Sequence, residues 1–176
     1  MIPAFVIHHP SSSERSEIVK DLVEKTDAVV VDAILLPDGK AGCRASHLRV
    51  AHLAKEQYPK SHYLVFEDDC MLSEDWKDCL AGMEMADVLY LGYNDKCSHT
   101  TFGTHALRIS PRARDKILLE TENLAEKVID KGAFDHILSK LCRQEGLLTC
   151  MPPPDEKSRW AYQKKGLRSL ITGNLR

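Results

Sequence analysis

Long hydrophobic runs are missing from this sequence: no stretch approaches the roughly 20 apolar residues of a membrane-crossing helix. The start, MIPAFVIHHPSSSERSE, has no basic segment, only a short apolar run and no small-residue cleavage site. These absences lead us to expect a soluble, cytoplasmic protein without a transmembrane segment. C-x-x-C pairs are also absent, although there are six cysteines (Cys43, Cys70, Cys79, Cys97, Cys142 and Cys150). Their irregular spacing argues against a zinc ribbon, and without an export signal they are expected to be free thiols, mostly in the core. Neither sign of charge is in marked excess. A net charge of -2 gives no general attraction to nucleic acid or anionic membrane, so a phosphorylated ligand must be held locally, by a metal or a few cations. Repeats, low-complexity tracts and long linkers are lacking as well.

What remains is an ordinary globular composition, 43% hydrophobic and 28% charged, in 176 residues, enough for one domain with a real core. Strand and helix signals alternate, the mark of an α/β fold with a mainly parallel sheet flanked by helices. Ala4 to His8 predicts a buried strand, and Ser11 with Glu14 a capping box for a helix burying Ile18, Val19, Leu22 and Val23. Ala28 to Leu36 predicts a second strand, running into a loop at Pro37, Asp38 and Gly39. A helix over Ser46 to Gln57 follows, then a strand from Tyr63 to Phe66. Ser73 is placed to cap a short helix with Trp76 and Leu80. Strands are expected over Val88 to Tyr93 and Thr104 to Ile109, and Ser110-Pro111 is a strong helix start. Phe134 to Arg143 predicts an amphipathic helix with Phe134, Ile137, Leu138 and Leu141 on its apolar face. Residues 1–154 read as the domain. Residues 155–176 read as a basic, polar tail lying over it or extending from it.

Chemistry concentrates where the strand YLVF runs into Glu67-Asp68-Asp69. Ligands of open α/β sheets bind beyond the carboxyl ends of the strands, and three adjacent carboxylates resist burial unless a cation joins them. In an extended segment residues 67 and 69 point the same way, so Glu67 and Asp69 could share an ion while Asp68 points elsewhere. Oxygen ligands suit Mg²⁺ or Mn²⁺. An acidic turn that merely ends a strand is the plainer alternative, and nucleases or phosphohydrolases use similar clusters.

Three further segments stand out. In AGCRASHLRVA, Gly42 allows a tight turn where a helix can begin. The amides around Ser46 and His47, with Arg44, could then face phosphate or sugar oxygens; alternatively His47 is a structural histidine. In FGTHALRISPRA, Gly103 and Thr104 give a hydroxyl-bearing entry to a strand, lining a sugar pocket or simply connecting elements. Asp135, after Gly132, falls at a helix start, where capping alone would account for it.

Together, a strand followed by Arg15, the GCRASH element, YLVFEDD, the G-T-x-A-x-x-I-S segment and the late Asp135 resemble the lipopolysaccharide-type glycosyltransferases of glycosyltransferase family 25, which include the collagen galactosyltransferases. The likeness runs from about Phe5 to Pro154. It implies a GT-A fold, a hexose moved from a nucleotide-sugar donor (commonly a UDP-sugar) to a glycan or glycoconjugate hydroxyl, and inversion at the anomeric carbon. It also implies that Glu67 and Asp69 bind Mn²⁺ or Mg²⁺, that Asp68 lies beside the donor, and that Arg15 is on the nucleotide side. His8 and His9 stand where the family carries Asn-Leu. The donor-binding candidates are thus His8, Arg15, Ser46, His47, Asp68 and Thr104, with Asp135 the candidate base. A metal-dependent nucleotidyltransferase or phosphohydrolase, or a silent nucleotide-sugar-binding module, are the competing readings.

Overall fold

The computed structural model describes residues 2–80, 83–91, 104–126, 134–150 and 161–163. Its strands are β1 (Ala4–His8), β2 (Val29–Asp32), β3 (Tyr63–Glu67), β4 (Cys70–Leu72), β5 (Val88–Tyr90), β6 (Ala106–Ile109), β7 (Thr149–Cys150) and β8 (Ala161–Gln163). Its α-helices are α1 (Ser16–Thr26), α2 (Gly39–Gln57), α3 (Pro111–Glu126) and α4 (Phe134–Gln144).

Six strands form one sheet in the order β2-β1-β3-β6-β5-β7. β1 runs parallel to β2 and β3, and β5 to β7, while β6 lies antiparallel between β3 and β5. The sheet is therefore mainly parallel, as the alternating sequence pattern predicts. The pleat divides β1 and β3 between two cores. Phe5, Ile7, Tyr63 and Val65 pack with buried residues of α2, α3 and α4. Ala4, Val6, Leu64 and Phe66 pack with Ile18, Val19 and Leu22 of α1 and with Trp76. Both faces are covered, so these short strands are continuous apolar runs up to their last residues, His8 and Glu67, rather than alternating.

β1 and α4 lie where the sequence places them. Ser110 caps α3 as expected, its Oγ accepting from the Ala113 amide at 3.1 Å. Other expectations need correction. The capping box does not form: a 3-10 turn at Ser13–Arg15 leads into α1, and Ser11 Oγ pairs instead with His9 Nδ1 at 3.0 Å. β2 stops at Asp32 and occupies the sheet edge, which leaves Val29 and Val30 exposed. β5 ends at Tyr90 and β6 starts only at Ala106. The stretch after Ser73 is turns and a short 3-10 segment, Asp78–Leu80, rather than an α-helix. β4 was not foreseen, and it pairs antiparallel with β8 from the tail. Gly92, Tyr93, Gly103, Gly132 and the triple proline at 152–154 lie outside the described residues.

The largest shift is in α2, which begins at Gly39 and not at Ser46. Asp38 is its N-cap, accepting from the Lys40 amide at 3.0 Å. Gly42 is thus a helix-interior residue, and close packing explains it. A Cβ there would lie 2.7 Å from the Ile34 carbonyl oxygen and 3.3 Å from the Leu36 nitrogen, both backbone atoms. Gly42→Ala is therefore expected to destabilise the protein by about 1–3 kcal/mol through overpacking. In an open helix the same change would stabilise by up to about 1 kcal/mol. Urea unfolding decides: a raised midpoint would show that the 33–36 loop can move aside.

Candidate functional site

The site lies at the carboxyl end of β3, between the N-terminal half of α2 and the loop that follows β1. Alternation from Val65 sends Glu67 to the α2 face. There Glu67 Oε1 accepts from the Thr104 hydroxyl and lies 3.0 Å from His47 Nε2 and 3.9 Å from Cys43 Sγ. Asp68 turns to the opposite face. Its Oδ1 accepts from Arg15 Nη1, and its Oδ2 accepts from the His9 amide at 2.7 Å and meets His8 Nδ1 at 3.1 Å. β3 ends at Glu67, so Asp68 and Asp69 form a turn and not the extended continuation the sequence suggested. Asp69 is buried with Asp68 on the Arg15 side, its Oδ2 3.7 Å from Arg15 Nη2.

A cavity of about 200 Å³ opens above this edge. Ile34, Leu35 and Leu36 form an apolar wall, while Arg15, Glu67 and Asp68 line its polar side. Ser46 fixes the wall: its Oγ accepts from the Ile34 amide and donates to the Gly42 carbonyl, both at 2.8 Å. Asp69 does not line the cavity.

His47 is 2% exposed, and its ring stacks on Phe134 at 4.3 Å between centroids, 8° from parallel. That stack brings the start of α4 to the site. Asp135, the next residue, is half-buried in the first turn of α4, its Oδ1 accepting from the His136 amide at 2.9 Å. Asp135 is close enough for its charge to bear on Cys43. Burial first, then the charge of Glu67, raise the Cys43 thiol well above its ordinary value, with smaller contributions from Asp135 and Asp69.

Burial also pushes the Glu67 carboxyl upward, but hydrogen bonds from His47 and Thr104 and the nearby histidines outweigh it and leave it below the ordinary 4.5. A folded-state pKa below the unfolded value adds stability that is fully present above the ordinary carboxyl range. That stability is lost as pH falls through the depressed value. Glu67→Gln should therefore flatten the acid limb of the stability curve below pH 4.5, measured by urea unfolding across pH. An acid limb identical to the parent's would contradict this.

No protein-family model and no curated protein matches the sequence. Solved structures do match. A glycosyltransferase involved in the glycosylation of the major capsid of PBCV-1 aligns over 92% of both chains, with a TM-score of 0.58 and 12% identity. The glycosyltransferase GlyE of Streptococcus pneumoniae TIGR4 aligns over 87% of this chain, with a TM-score of 0.54 and 11% identity. Its apo form gives a TM-score of 0.50 at 12% identity over 85% of this chain. This chain spans 45% of the length of GlyE.

The fold is that of a glycosyltransferase.

On this glycosyltransferase fold, the acidic edge has donors suited to a hard divalent ion. Glu67 is held ionised, as a ligand must be, and its carboxylate lines the cavity. Asp69 does not join it there: its carboxylate is buried on the Arg15 side, away from the cavity, so the turn after β3 separates the Glu67-Asp69 pair that an extended strand would align. Of the donor-binding candidates, the structure brings Arg15, His8 and Asp68 into one cluster, and His47 and Thr104 into another around Glu67. Ser46 anchors the loop, and its place inside α2 removes the helix-start amides expected beside it. Cys43, Cys70, Cys142 and Cys150 are free thiols, and no described helix is long and apolar enough to cross a membrane.

Two participants escaped the sequence reading. Cys43 was taken as a core thiol and Phe134 as part of an apolar face. The available signal was helical spacing: once α2 starts at Gly39, Cys43 and His47 are one turn apart on the same face.

Proposed function

We propose that the protein transfers a hexose from a nucleotide-sugar, probe donor UDP-hexose, to a hydroxyl of a glycan or glycoconjugate, with inversion, in the manner of glycosyltransferase family 25. The observation that carries this reading is the Glu67-Asp68-Asp69 edge, opening on a cavity beside Arg15 at the carboxyl end of β3 in a glycosyltransferase fold. The apolar wall of Ile34 to Leu36 suits the flat face of a base, and the polar side suits ribose and diphosphate.

In this proposal Arg15 fixes Asp68 so that the carboxylate holds the donor in one orientation, and Thr104 and His47 fix Glu67. Glu67, joined by Asp69 once its carboxylate turns from the Arg15 side, would hold Mn²⁺ or Mg²⁺, which when bound supplies Lewis-acid neutralisation of the leaving diphosphate. Asp135 takes the proton from the acceptor hydroxyl as it attacks the anomeric carbon from the face opposite the nucleotide. The ordered loop held by Ser46 and Gly42 excludes water from the donor side. Residues 1–154 carry this chemistry, and residues 155–176 form the tail.

Turnover of UDP-hexose, measured with and without a panel of sugar acceptors and with and without EDTA, tests the reading. Acceptor-dependent, chelator-sensitive transfer is expected. Acceptor-independent cleavage of the nucleotide would point to a phosphohydrolase, and binding without turnover to a silent module; either overturns the proposal.

A further inference from the structure

We infer that Cys43, His47 and Glu67 form a second kind of metal site, one for a borderline divalent ion of the zinc type, with its fourth position open to the cavity. The ligand atoms of these residues all lie within 4.8 Å of one another. The set is sulfur, nitrogen and oxygen, a mixture that zinc accepts and that magnesium and manganese do not favour.

The geometry is close to what an ion requires. Zinc binds thiolate at about 2.3 Å and nitrogen or oxygen at about 2.0–2.2 Å, which in a tetrahedron separates neighbouring ligand atoms by roughly 3.3–3.6 Å. The observed separations from Glu67 Oε1 are 3.0 Å to His47 Nε2 and 3.9 Å to Cys43 Sγ. One of these pairs must open and the other close by a few tenths of an ångström, and the Cys43–His47 pair, within 4.8 Å, must close by at most about 1.3 Å, which a turn of the Cys43 side chain supplies. Cys43 and His47 sit one turn apart on α2, and Glu67 closes β3, so all three come from regular elements.

Surroundings complete the case. The Thr104 hydroxyl hydrogen-bonds the Glu67 carboxylate, the kind of outer contact that orients a ligating group. All three residues line the cavity, which gives the ion an entry path and leaves room for water or a substrate oxygen. Thiolate, carboxylate and neutral imidazole around a divalent ion make a site of zero net charge, which tolerates burial. Binding releases the Cys43 thiol proton to solvent and takes the His47 tautomer protonated at Nδ1, whose Nε2 lone pair meets the ion.

This site shares Glu67 with the proposed Mn²⁺ or Mg²⁺ site, but its test requires no donor and so stands or falls apart from sugar transfer. Co²⁺ would be titrated into the untagged, reduced full chain and followed by absorption, with Zn²⁺ affinity measured by calorimetry. One equivalent of Co²⁺ should produce a thiolate-to-cobalt charge-transfer band with four-coordinate visible bands. Cys43→Ser should abolish the charge-transfer band and weaken Zn²⁺ by more than about a hundredfold, beyond the loss typical of an outer contact. His47→Gln should weaken it likewise, while Cys150→Ser leaves both signals unchanged. If His47→Gln fails to fold, Cys43→Ser, a one-atom change at a half-buried position, still decides. A charge-transfer band that survives Cys43→Ser, or no band at one equivalent, would overturn the inference.

Discussion

Asp135→Asn is expected to slow sugar transfer by about a hundred- to ten-thousand-fold while leaving donor affinity near the parent value. The residue sits in the first turn of α4, whose start is pinned to the site by the stack of Phe134 on His47. Its charge reaches Cys43, which lines the cavity, although Asp135 itself does not, and the proposed mechanism has the acceptor enter from that side. Asparagine keeps the size and serves a helix start as well as aspartate does. An amide cannot take a proton at neutral pH, however. A residue that only caps α4 would therefore lose neither stability nor rate on this substitution. Calorimetry for the donor and initial rates on the same preparation separate the two roles. Transfer at close to the parent rate would remove Asp135 from the mechanism.

Arg15→Met should be the most destabilising single change, at about 3–5 kcal/mol. Arg15 is 4% exposed and Asp68 is 4% exposed, and the guanidinium bonds directly to the carboxylate. Removing the cation leaves a buried anion with only the His9 amide and the His8 ring against it. Asp68→Asn on its own removes the charge and should cost less. The double variant should recover part of the loss, because the Asp68 charge is then gone while Asp69, also buried beside Arg15, keeps its own. A double-mutant cycle in urea gives the coupling directly. Additive losses would show that Asp68 does not depend on Arg15.

Much of the fold is legible in the sequence because burial is so complete. β1 and β3 are short apolar runs with both faces covered, and periodicity finds α4 through Phe134, Ile137, Leu138 and Leu141. The Ser110-Pro111 start is chemically explicit. The failures share a cause, namely side chains and glycines whose partners are remote. Gly39 and Gly42 look like a turn, yet Asp38 caps a helix through them, and Gly42 is there because the 33–36 loop crosses within 2.7 Å of its missing Cβ. Ser11 is a different case: it looks like a cap but is taken up by a local partner, His9. Arg114 gives no sign in the sequence that it is buried and donates to the carbonyls of Ala54, Tyr58 and Pro59, closing the end of α2.

The candidate site shows the same division. That Glu67, Asp68 and Asp69 end a strand was readable, because a strand edge in an α/β sheet is where charge can gather. Which way each carboxylate faces was not. The strand stops one residue earlier than simple alternation would need, and Arg15, far away in sequence, draws Asp68 and Asp69 to its own side. Glu67 is left to the α2 face, and its partners come from two separate segments, Cys43 and His47 from α2 and Thr104 from the approach to β6.

A crystal of the protein soaked with UDP and Mn²⁺ bears most directly on the proposed donor site. The expected density places the uracil against Ile34 to Leu36 and the diphosphate at the acidic edge beside Arg15, with Mn²⁺ held by the Glu67 carboxylate. Nucleotide bound elsewhere on the molecule, or a cavity that stays free of nucleotide at saturating UDP, would contradict it.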